Sequence, residues 1–246
     1  MTLQALIFDV DGTLADTERA GHRIAFNAAF AEAGLPWRWD EALYDELLQV
    51  TGGKERIRHY LADADRWFLA RPDAPDVIAG LHASKTGHYL RLLASGGVRL
   101  LPGVEALVRE AHRGGLRLAI ATTTTPANVT ALLDSTLGEE ARSWFEVIGA
   151  GDVVPAKKPA PDIYRWVVDR LGLEPQQCLA VEDSGVGLAA AVAAGVPTVV
   201  VPSAHAVADD FSAAVARYPD LTAVTVGVLR DLHARAVPPT VLASPV

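Results

Sequence analysis

Residues 6–14, with the sequence LIFDVDGTL, decide the fold of this chain. The apolar residues that lead up to Asp9 indicate a strand buried on both faces, as in a parallel sheet. Ligand sites of open α/β sheets lie outside the carboxyl ends of the strands, so we expect Asp9 and Asp11 at such a site. Because residues i and i+2 share a face of a strand, the first carboxylate can act as nucleophile and the second as proton donor and acceptor. The alternatives are a polar turn after a strand and a fragment of a calcium loop.

Length, charge and cysteine content restrict the class of protein. The 246 residues, half of them hydrophobic, suffice for a full α/β core and a smaller accessory domain. The net charge of −8 argues against nucleic-acid binding. Cys178 is the only cysteine, which excludes an intrachain disulfide and a cysteine-built metal site. The sequence shows no secretion signal and no apolar stretch of about 18 residues, so we expect a cytoplasmic protein without a membrane partner. A monomer is a separate expectation.

The segment after the first strand has helical spacing throughout. Residues 16–18 can cap a helix that ends at Gly34, and further helical patterns cover residues 41–50, the region around 57–61, and residues 77–94. No part of residues 16–94 shows the pattern of a strand. The sequence therefore predicts an all-helical cap domain, residues 16–95, that is inserted after the first strand and lies over the end of the sheet as a lid.

Helices and strands alternate from Val98 onwards, which implies a parallel sheet with right-handed crossovers. This succession predicts a core domain of residues 1–15 and 96–236 and a loosely held tail of residues 237–246. The predicted helices are 103–113, 127–137, 161–171 and 185–194, the predicted strands are 116–121, 147–150, 178–181 and 198–201, and a weaker helix, a strand and a helix follow.

Two later stretches carry groups that can bind phosphate. The strand at 116–121 is followed by four threonines, residues 122–125, and a hydroxyl with backbone N–H groups at a strand-to-helix junction can hold phosphate oxygens. Lys158 precedes Pro159, and we expect it at the start of a helix, where its charge opposes the helix dipole and indicates an anionic partner. The alternatives are threonines that merely suit a strand end and a solvated surface lysine.

The adjacent carboxylates of Glu182 and Asp183 follow the strand at 178–181. If they face Asp9 at the same edge of the sheet, the three carboxylates repel one another unless a cation lies between them. Mg²⁺ fits such a position because it prefers hard oxygen ligands, keeps several waters and bridges to phosphate. A helix-capping pair, Asp183 with Ser184, is an alternative that is compatible with the metal site.

The order of these motifs resembles the haloacid dehalogenase (HAD) superfamily of phosphatases and phosphomutases. The resemblance implies a HAD-like Rossmannoid α/β fold, with a parallel sheet, helices on both faces and the inserted helical cap. It also implies a Mg²⁺-dependent reaction in which Asp9 attacks phosphorus to give an aspartyl-phosphate and Asp11 transfers protons. Thr122 and Lys158 would offset the charge of the transferring phosphoryl group. The implied metal ligands are the Asp9 carboxylate, the Asp11 backbone carbonyl, Asp183 and, directly or through water, Glu182.

The predicted cap supplies cations that suit a second phosphate. Gly52 and Gly53 permit a close approach of the backbone, and Lys54 and Arg56 follow at once. Lys85 lies on a predicted helix of the same cap. A lid that adds these cations above a site that already holds one phosphate indicates a doubly phosphorylated substrate. The alternative is that all three are ordinary residues of solvated helix faces.

Within the superfamily, the chain resembles the CbbY family over about residues 3–235, through the stretches 15–18, 37–40, 51–57, 121–124 and 157–164 and through His82 with Lys85 and Thr86. This family is associated with Calvin-cycle operons of autotrophic bacteria and with red-type plastids. The resemblance implies hydrolysis of xylulose-1,5-bisphosphate, an inhibitor of Rubisco, to xylulose 5-phosphate. The implied substrate-binding residues are Glu18, Gly52, Gly53, Lys54, Arg56, His82, Lys85, Thr123 and Thr124.

The sequence leaves alternatives open. His22 lies one residue later than the superfamily's usual spacing from the Asp-Thr-Glu stretch, so its role is not assigned. A β-phosphoglucomutase-like enzyme or a broad sugar-phosphate phosphatase would share the same core and lid. A non-catalytic binding protein would share the fold, but the complete set of motif residues argues against it: Asp9, Asp11, Thr122, Lys158 and Asp183.

Overall fold

A six-stranded parallel sheet lies at the centre of the computed structural model, which describes residues 1–237. Its strands are β1 (Ala5–Phe8), β2 (Arg117–Ala121), β3 (Phe145–Gly149), β4 (Cys178–Glu182), β5 (Thr198–Val200) and β6 (Ala216–Arg217). They are arranged in the order β3-β2-β1-β4-β5-β6, so β1 lies between β2 and β4 in the interior of the sheet. The predicted parallel α/β sheet is confirmed.

Helices cover both faces of the sheet because the strand residues are apolar on both faces. Leu6 and Phe8 of β1 belong to one hydrophobic cluster, whereas Ala5 and Ile7 belong to another. The alternating side chains of β1 thus pack against two helical layers. The first layer contains α6 (Val104–Arg113), α7 (Pro126–Thr136) and α10 (Val226–Ala236), and the second contains α8 (Asp162–Leu171) and α9 (Gly185–Ala193).

Between β1 and α6, the described chain contains helices and no strand. The helices are a π-helical segment, Glu18–His22, followed by α1 (Arg23–Glu32), α2 (Glu41–Leu47), α3 (Gly53–Ala64), α4 (Arg66–Leu69) and α5 (Ala74–Ala94). Buried aromatic side chains form a hydrophobic cluster inside this helical segment, among them Phe26, Phe30, Trp37, Trp39, Tyr44 and Phe68. The helical segment therefore has a core of its own, separate from the clusters that flank the sheet.

The two chain segments that join the helical segment to the sheet lie side by side. The backbone N–H of Leu101 donates to the carbonyl of Leu14 at 2.9 Å, and Ala15 pairs with Leu100 in an isolated bridge. Both connections lie next to the carboxyl end of β1. The helical segment is consequently attached at the edge of the sheet to which the two N-terminal aspartates belong.

Three local predictions differ from the structure. The weaker helix predicted after β5 is wrong: residues 201–215 form turns, and the Asp209 carboxylate there accepts a hydrogen bond from the Gly185 N–H at 2.7 Å. The predicted side-chain cap at residues 16–18 is also wrong, because the Thr17 hydroxyl donates to Asp11 and not to a helical N–H group. The short helix α4 is not predicted from the sequence.

Two expectations concern the membrane and the end of the chain. Among residues 1–237, no helix has the length and apolar character that crossing a membrane requires. The expected loose tail, residues 237–246, lies outside the described residues except for Val237.

Candidate active site

Asp9 and Asp11 follow β1 at the carboxyl edge of the sheet. The backbone fixes this position, because the Asp9 N–H donates to the carbonyl of Val181 in β4 at 3.0 Å. Gly12 then turns the chain with a φ of +86°, and a Cβ atom at this residue would collide with the carboxylate of Asp183. The glycine therefore permits both the turn after β1 and the close approach of Asp183 from the end of β4.

Lys158 joins the ends of β1 and β4 through its ammonium group. Its Nζ lies 2.6 Å from Asp9 Oδ1 and 2.7 Å from Glu182 Oε1. Burial disfavours the charged lysine, but the two carboxylates outweigh burial and hold the pKa of Lys158 above its ordinary value. The expected position at a helix start is wrong, since residues 157–160 form a turn and α8 begins only at Asp162.

Three carboxylates surround this one lysine. Asp9, Glu182 and Asp183 each offer an oxygen atom within 4.8 Å of the others. Burial, followed by repulsion from Glu182, raises the pKa of Asp183 to about 7. Burial also raises the pKa of Asp9 well above its ordinary value, against the opposing charge of Lys158. A divalent cation would offset this repulsion, so the donor set fits a hard metal ion.

Protein groups occupy both oxygens of Glu182. Oε1 accepts hydrogen bonds from Lys158 and, at 2.5 Å, from the Tyr164 hydroxyl, while Oε2 accepts from the Asp183 N–H at 3.3 Å. Burial raises the pKa of Tyr164 well above its ordinary value, which keeps this phenol a neutral donor. Glu182 is therefore better placed to hold Lys158 than to bind a metal directly, and Asp9 and Asp183 are the freer carboxylates.

A chain of polar groups from the helical segment holds Asp11. Its Oδ1 accepts from the Thr17 hydroxyl at 2.5 Å and lies 2.9 Å from His22 Nε2. On the far side of the imidazole, Lys85 Nζ lies 3.0 Å from His22 Nδ1. Burial alone would raise the pKa of Asp11, but the charge of His22 and the hydrogen bonds from His22 and Thr17 hold it below its ordinary value. Burial lowers the pKa of Lys85 to about 8.

His22 is a site residue that sequence reasoning left unassigned. It ends the π-helical segment, whose wider turn accommodates one residue more than an α-helical turn. The wide turn thus absorbs the extra residue in the spacing and still brings the imidazole to Asp11. The ring also packs against Tyr89 of α5 at a centroid distance of 4.2 Å. The sequence signal for this close packing is Gly21, the residue before His22, because a side chain at this position would collide with Tyr89.

One cavity between the carboxyl edge of the sheet and the helical segment contains most of these groups. We call it the strand-end cavity. Nine site residues that the sequence predicts line this cavity: Asp9, Asp11, Glu18, Arg56, Thr122, Thr123, Lys158, Glu182 and Asp183. Residues that the sequence does not single out line it as well, among them Ser203, His205 and Asp209 from the turns after β5. The structure thus brings the four sequence motifs together at one place.

The threonines after β2 are ordered by their own hydrogen bonds. Thr122 is buried, and its hydroxyl accepts from the Thr124 N–H at 3.2 Å. The Thr124 hydroxyl in turn accepts from Asn128 Nδ2 at 2.9 Å. Thr124 lines a narrow space next to the strand-end cavity, and Thr123 lines both. Hydroxyl and amide groups at the start of α7 are therefore available to an anion.

Glu18 and Arg56 extend into the strand-end cavity from the helical segment. The Tyr44 hydroxyl donates to Glu18 Oε2 at 2.5 Å and accepts from Arg56 Nη1 at 3.0 Å. Arg56 Nη1 is also 3.8 Å from Glu18 Oε2. Arg56 is 7% exposed and Lys85 is 4% exposed, so neither belongs to a solvated helix face. These cations are held in place by the protein.

Lys54 lies outside the strand-end cavity. Its Nζ is 2.6 Å from Asp152 Oδ2, and the other oxygen of this carboxylate is 2.7 Å from Lys157 Nζ. The hydrogen bonds from Lys157 and Lys54 lower the pKa of Asp152 to about 2. The cation thus has a carboxylate partner on the loop after β3.

A neighbouring cavity contains Lys54 together with the predicted residues Gly52, Gly53, His82 and Thr123. Burial, and then the charges of Lys85 and Lys54, lower the pKa of His82 to about 4. A neutral imidazole can therefore accept or donate a hydrogen bond in this cavity. A narrow space lies between the two cavities and shares lining residues with each of them. Asp11, Arg56, His82 and Lys85 are among the residues that line it.

Known proteins are similar to this chain in sequence and in fold. The model of the haloacid dehalogenase-like hydrolase family matches residues 3–195. Protein CbbY of Rhodobacter capsulatus is 52% identical over 232 residues, which cover 94% of this chain and 100% of the relative. Plasmid-encoded protein CbbY of Cupriavidus necator is 53% identical over 219 residues, with coverage of 89% and 86%. A crystal structure of CbbY from Rhodobacter sphaeroides in complex with xylulose-(1,5)bisphosphate is 42% identical, has a TM-score of 0.85, and covers 92% of this chain and 99% of that one.

Proposed function

Because this chain belongs to the haloacid dehalogenase-like hydrolase family, and within it to the CbbY proteins, we propose that it hydrolyses xylulose-1,5-bisphosphate to xylulose 5-phosphate. The protein is a phosphatase. The observation that carries the proposal is the strand-end cavity, in which Asp9 and Lys158 lie together with Glu18 and the buried Arg56 of the helical segment. The likeness to a CbbY structure that holds this bisphosphate supports the choice of substrate.

In the proposed first step, the Asp9 carboxylate attacks phosphorus. A bond forms between the aspartate oxygen and phosphorus while the bond from phosphorus to the sugar oxygen breaks, which gives an aspartyl-phosphate. Lys158, 2.6 Å from Asp9, opposes the rise in the pKa of this buried carboxyl and so favours the ionised form that attacks. Its ammonium group and the Thr122 hydroxyl would then offset charge on the transferring phosphoryl group.

Asp11 would protonate the departing sugar oxygen. It would later take a proton from the water that attacks phosphorus, as the bond from phosphorus to Asp9 breaks and inorganic phosphate leaves. Since the pKa of Asp11 lies below its ordinary value, the carboxyl is ionised in this arrangement and needs a proton before the first step. His22, at 2.9 Å, contacts the carboxylate that would receive this proton, and Lys85 contacts the other ring nitrogen. We therefore propose His22 as the residue that positions Asp11 for the proton transfer.

We propose Mg²⁺ as the cofactor, held by the carboxylates of Asp9 and Asp183 and by the backbone carbonyl of Asp11. The raised pKa values of both carboxyls support a cation at this place. When bound, Mg²⁺ supplies positive charge to the phosphoryl oxygens. Glu182, whose oxygens are occupied by Lys158, Tyr164 and a backbone N–H, would contact it through water.

The helical segment would bind the rest of the substrate. We propose residues 16–95 as a cap domain over a core domain of residues 1–15 and 96–236, because the cap has its own hydrophobic cluster and adjacent connections. Arg56 and Lys85 are buried cations near the strand-end cavity and suit the second phosphate. The other proposed substrate contacts are Glu18, Gly52, Gly53, Lys54, His82, Thr123 and Thr124.

Lys54 lies 2.6 Å from Asp152, so the second phosphate would compete with this carboxylate for the ammonium group. The remaining expectations stay part of the proposal: a small sugar phosphate as the partner, no nucleic acid or membrane, a monomer, and a location in the cytoplasm. The net charge of −8 supports the expectation about nucleic acid.

Release of inorganic phosphate in the presence of Mg²⁺ tests the proposed substrate. We expect kcat/KM for xylulose-1,5-bisphosphate to exceed that for ribulose-1,5-bisphosphate by about tenfold or more, because the cap residues would contact the hydroxyl groups by which the two sugars differ. Equal or negligible turnover of both, with good turnover of hexose monophosphates, would overturn the substrate and leave a broader sugar-phosphate phosphatase. An isomeric phosphate with little free phosphate would instead indicate a mutase.

A further inference from the structure

His205 is a buried group of the strand-end cavity to which the proposed mechanism gives no role. It lies in the turns after β5 and lines the same cavity as Asp9, Asp11 and Lys158. Its side chain is 8% exposed, and neither ring nitrogen makes a well-directed hydrogen bond with another protein group. A buried imidazole without hydrogen bonds costs stability, so this position favours a partner that enters the cavity.

The contact that His205 does make comes from the helical segment. Its Nδ1 lies 2.6 Å from Asp45 Oδ1 on α2, a short contact that is out of line with the direction of the ring N–H. Asp45 belongs to the cap, whereas His205 belongs to the core. The imidazole is thus oriented from the cap side, while Nε2 has no partner among the described residues.

Two further contacts place the cap against the core, one at the strand-end cavity and one at the neighbouring cavity. The Thr51 hydroxyl donates to the carbonyl of Lys158 at 2.5 Å, and Lys54 pairs with Asp152 at 2.6 Å. Like these two, the contact between Asp45 and His205 depends on the position of the cap against the core. The orientation of the imidazole depends on that position as well.

The geometry points to His205 as a substrate-binding residue that donates a hydrogen bond from its imidazole to the sugar part of the phosphorylated substrate, with Asp45 as its positioning residue. This inference rests on the proposed function. The transferring phosphoryl group already has Asp9, Lys158 and Thr122 as neighbours, which leaves the non-transferring part of the substrate for His205. An imidazole N–H suits the oxygen of a hydroxyl or of a second phosphate.

Steady-state kinetics of His205→Asn test this role. We compare kcat/KM for xylulose-1,5-bisphosphate with kcat/KM for p-nitrophenyl phosphate, which has no sugar. The ratio should fall by about tenfold, chiefly through KM, because the lost hydrogen bond is made only to the sugar. His88→Asn is the matched control: His88 also contacts a carboxylate, Glu32 at 3.0 Å, but lies outside the strand-end cavity. It should leave the ratio unchanged.

Asp45→Asn separates positioning from binding. It should lower the same ratio less than His205→Asn does, and the double variant should be no worse than His205→Asn alone, because Asp45 acts through His205. A ratio within about twofold of wild type in His205→Asn, with the melting temperature retained, would overturn the inference. Additive effects of the two substitutions on the ratio in the double variant would also overturn the inference. His205→Gln serves if the asparagine variant does not fold.

The same assay distinguishes the two proposals. If wild type prefers another sugar phosphate, the proposed substrate fails, and the ratio for that sugar phosphate decides the role of His205. If wild type releases phosphate from p-nitrophenyl phosphate and from no sugar phosphate, both proposals fail. If His205→Asn keeps the wild-type ratio while wild type prefers xylulose-1,5-bisphosphate, only the role of His205 fails.

Discussion

The carboxyl edge of the sheet and the helical segment differ in how their charged side chains are paired. At the sheet edge, three carboxylates, those of Asp9, Glu182 and Asp183, surround the single ammonium group of Lys158. In the helical segment, by contrast, Lys54 is paired with a carboxylate and Arg56 with a phenol and Glu18. The sheet edge therefore has an excess of negative charge that a metal ion can offset, while the cap cations are already held by protein groups.

This difference separates the chemistry from the choice of substrate. The three carboxylates of the sheet edge lie at strand ends, so backbone hydrogen bonds fix them and the burial of their charges prepares them for phosphoryl transfer. The cap residues are fixed by side-chain contacts that a substrate can replace. Changes at the sheet edge should therefore abolish the reaction, and changes in the cap should alter which phosphate compound is preferred.

The largest effect is expected at the nucleophile. Asp9→Asn should lower kcat for every phosphate substrate by about 10⁴-fold or more, because an amide cannot form the aspartyl-phosphate. Steady-state phosphate release, with p-nitrophenyl phosphate and a sugar bisphosphate in parallel, measures this loss. Asp16→Asn is the control, since Asp16 is an exposed aspartate nearby in sequence. A loss confined to the sugar bisphosphate would contradict the assignment of Asp9 to the chemistry.

Removal of the central cation should affect both activity and stability. Lys158→Met leaves Asp9 and Glu182 without their shared partner, so we expect unfolding to become easier by about 3–5 kcal/mol in metal-free protein. The value of kcat should fall by about 10²–10³-fold. Urea unfolding and phosphate release measure the two effects. Lys157→Met, which removes a lysine bound to Asp152, should leave kcat within about threefold of wild type.

The pH dependence of stability reports on the acidic cluster. The pKa of Asp183 is about 7 in the folded protein against an ordinary value of 3.8, so the folded state binds more protons between these values. Its contribution to stability is consequently lost as the pH rises from about 4 to about 7, by at most about 4 kcal/mol. Calorimetry of metal-free wild type and Asp183→Asn should show a steeper decline in wild type over this range.

Mg²⁺ sharpens the same measurement, because it competes with protons for the Asp183 carboxylate. Added Mg²⁺ should raise the melting temperature of wild type at pH 8 more than at pH 5, and should have a smaller effect on Asp183→Asn. An equal rise in both proteins at both pH values would place the metal elsewhere.

The smallest effects are expected at the pair that joins cap and core. If Lys54 must leave Asp152 to contact the second phosphate, Lys54→Ala should raise KM for the bisphosphate by about tenfold. Asp152→Asn frees the lysine and should lower KM by about twofold to fivefold. A rise of KM in one variant and a fall in the other would support a role of Lys54 in substrate binding. A similar rise of KM in both variants would show that the pair only holds the cap in place.

The sequence predicts the sheet edge well because three of its four motifs follow buried strands. Residues such as Thr122 and Asp183 are positioned by the register of the sheet, so the order of strands and motifs suffices to bring them together. The position of Lys158 is different: its neighbours are predicted from the resemblance, but the loop that carries it is set by a turn and not by the helix that the prolines suggest.

The cap is predicted less well because side-chain partners there depend on packing between distant elements. Helical spacing locates α3 and α5, yet it does not show that Lys54 lies against Asp152 on the loop after β3. His205 carries no sequence signal, since it lies in turns where a weaker helix is expected. The contact of His22 with Asp11 could not be predicted from the sequence, because His22 lies one residue later than the usual spacing. The π-helical turn accommodates this additional residue and brings the imidazole to Asp11.

The central claim is that Asp9, at the end of β1, carries the phosphoryl group between substrate and water. Its most direct test is an acid quench of wild-type protein during turnover of xylulose-1,5-bisphosphate with Mg²⁺, followed by mass spectrometry of the peptide that contains residues 6–14. We predict one phosphoryl group on Asp9 in wild type and none in Asp9→Asn. Phosphate release without any covalent phosphoprotein, or a phosphoryl group on another residue, would contradict the account.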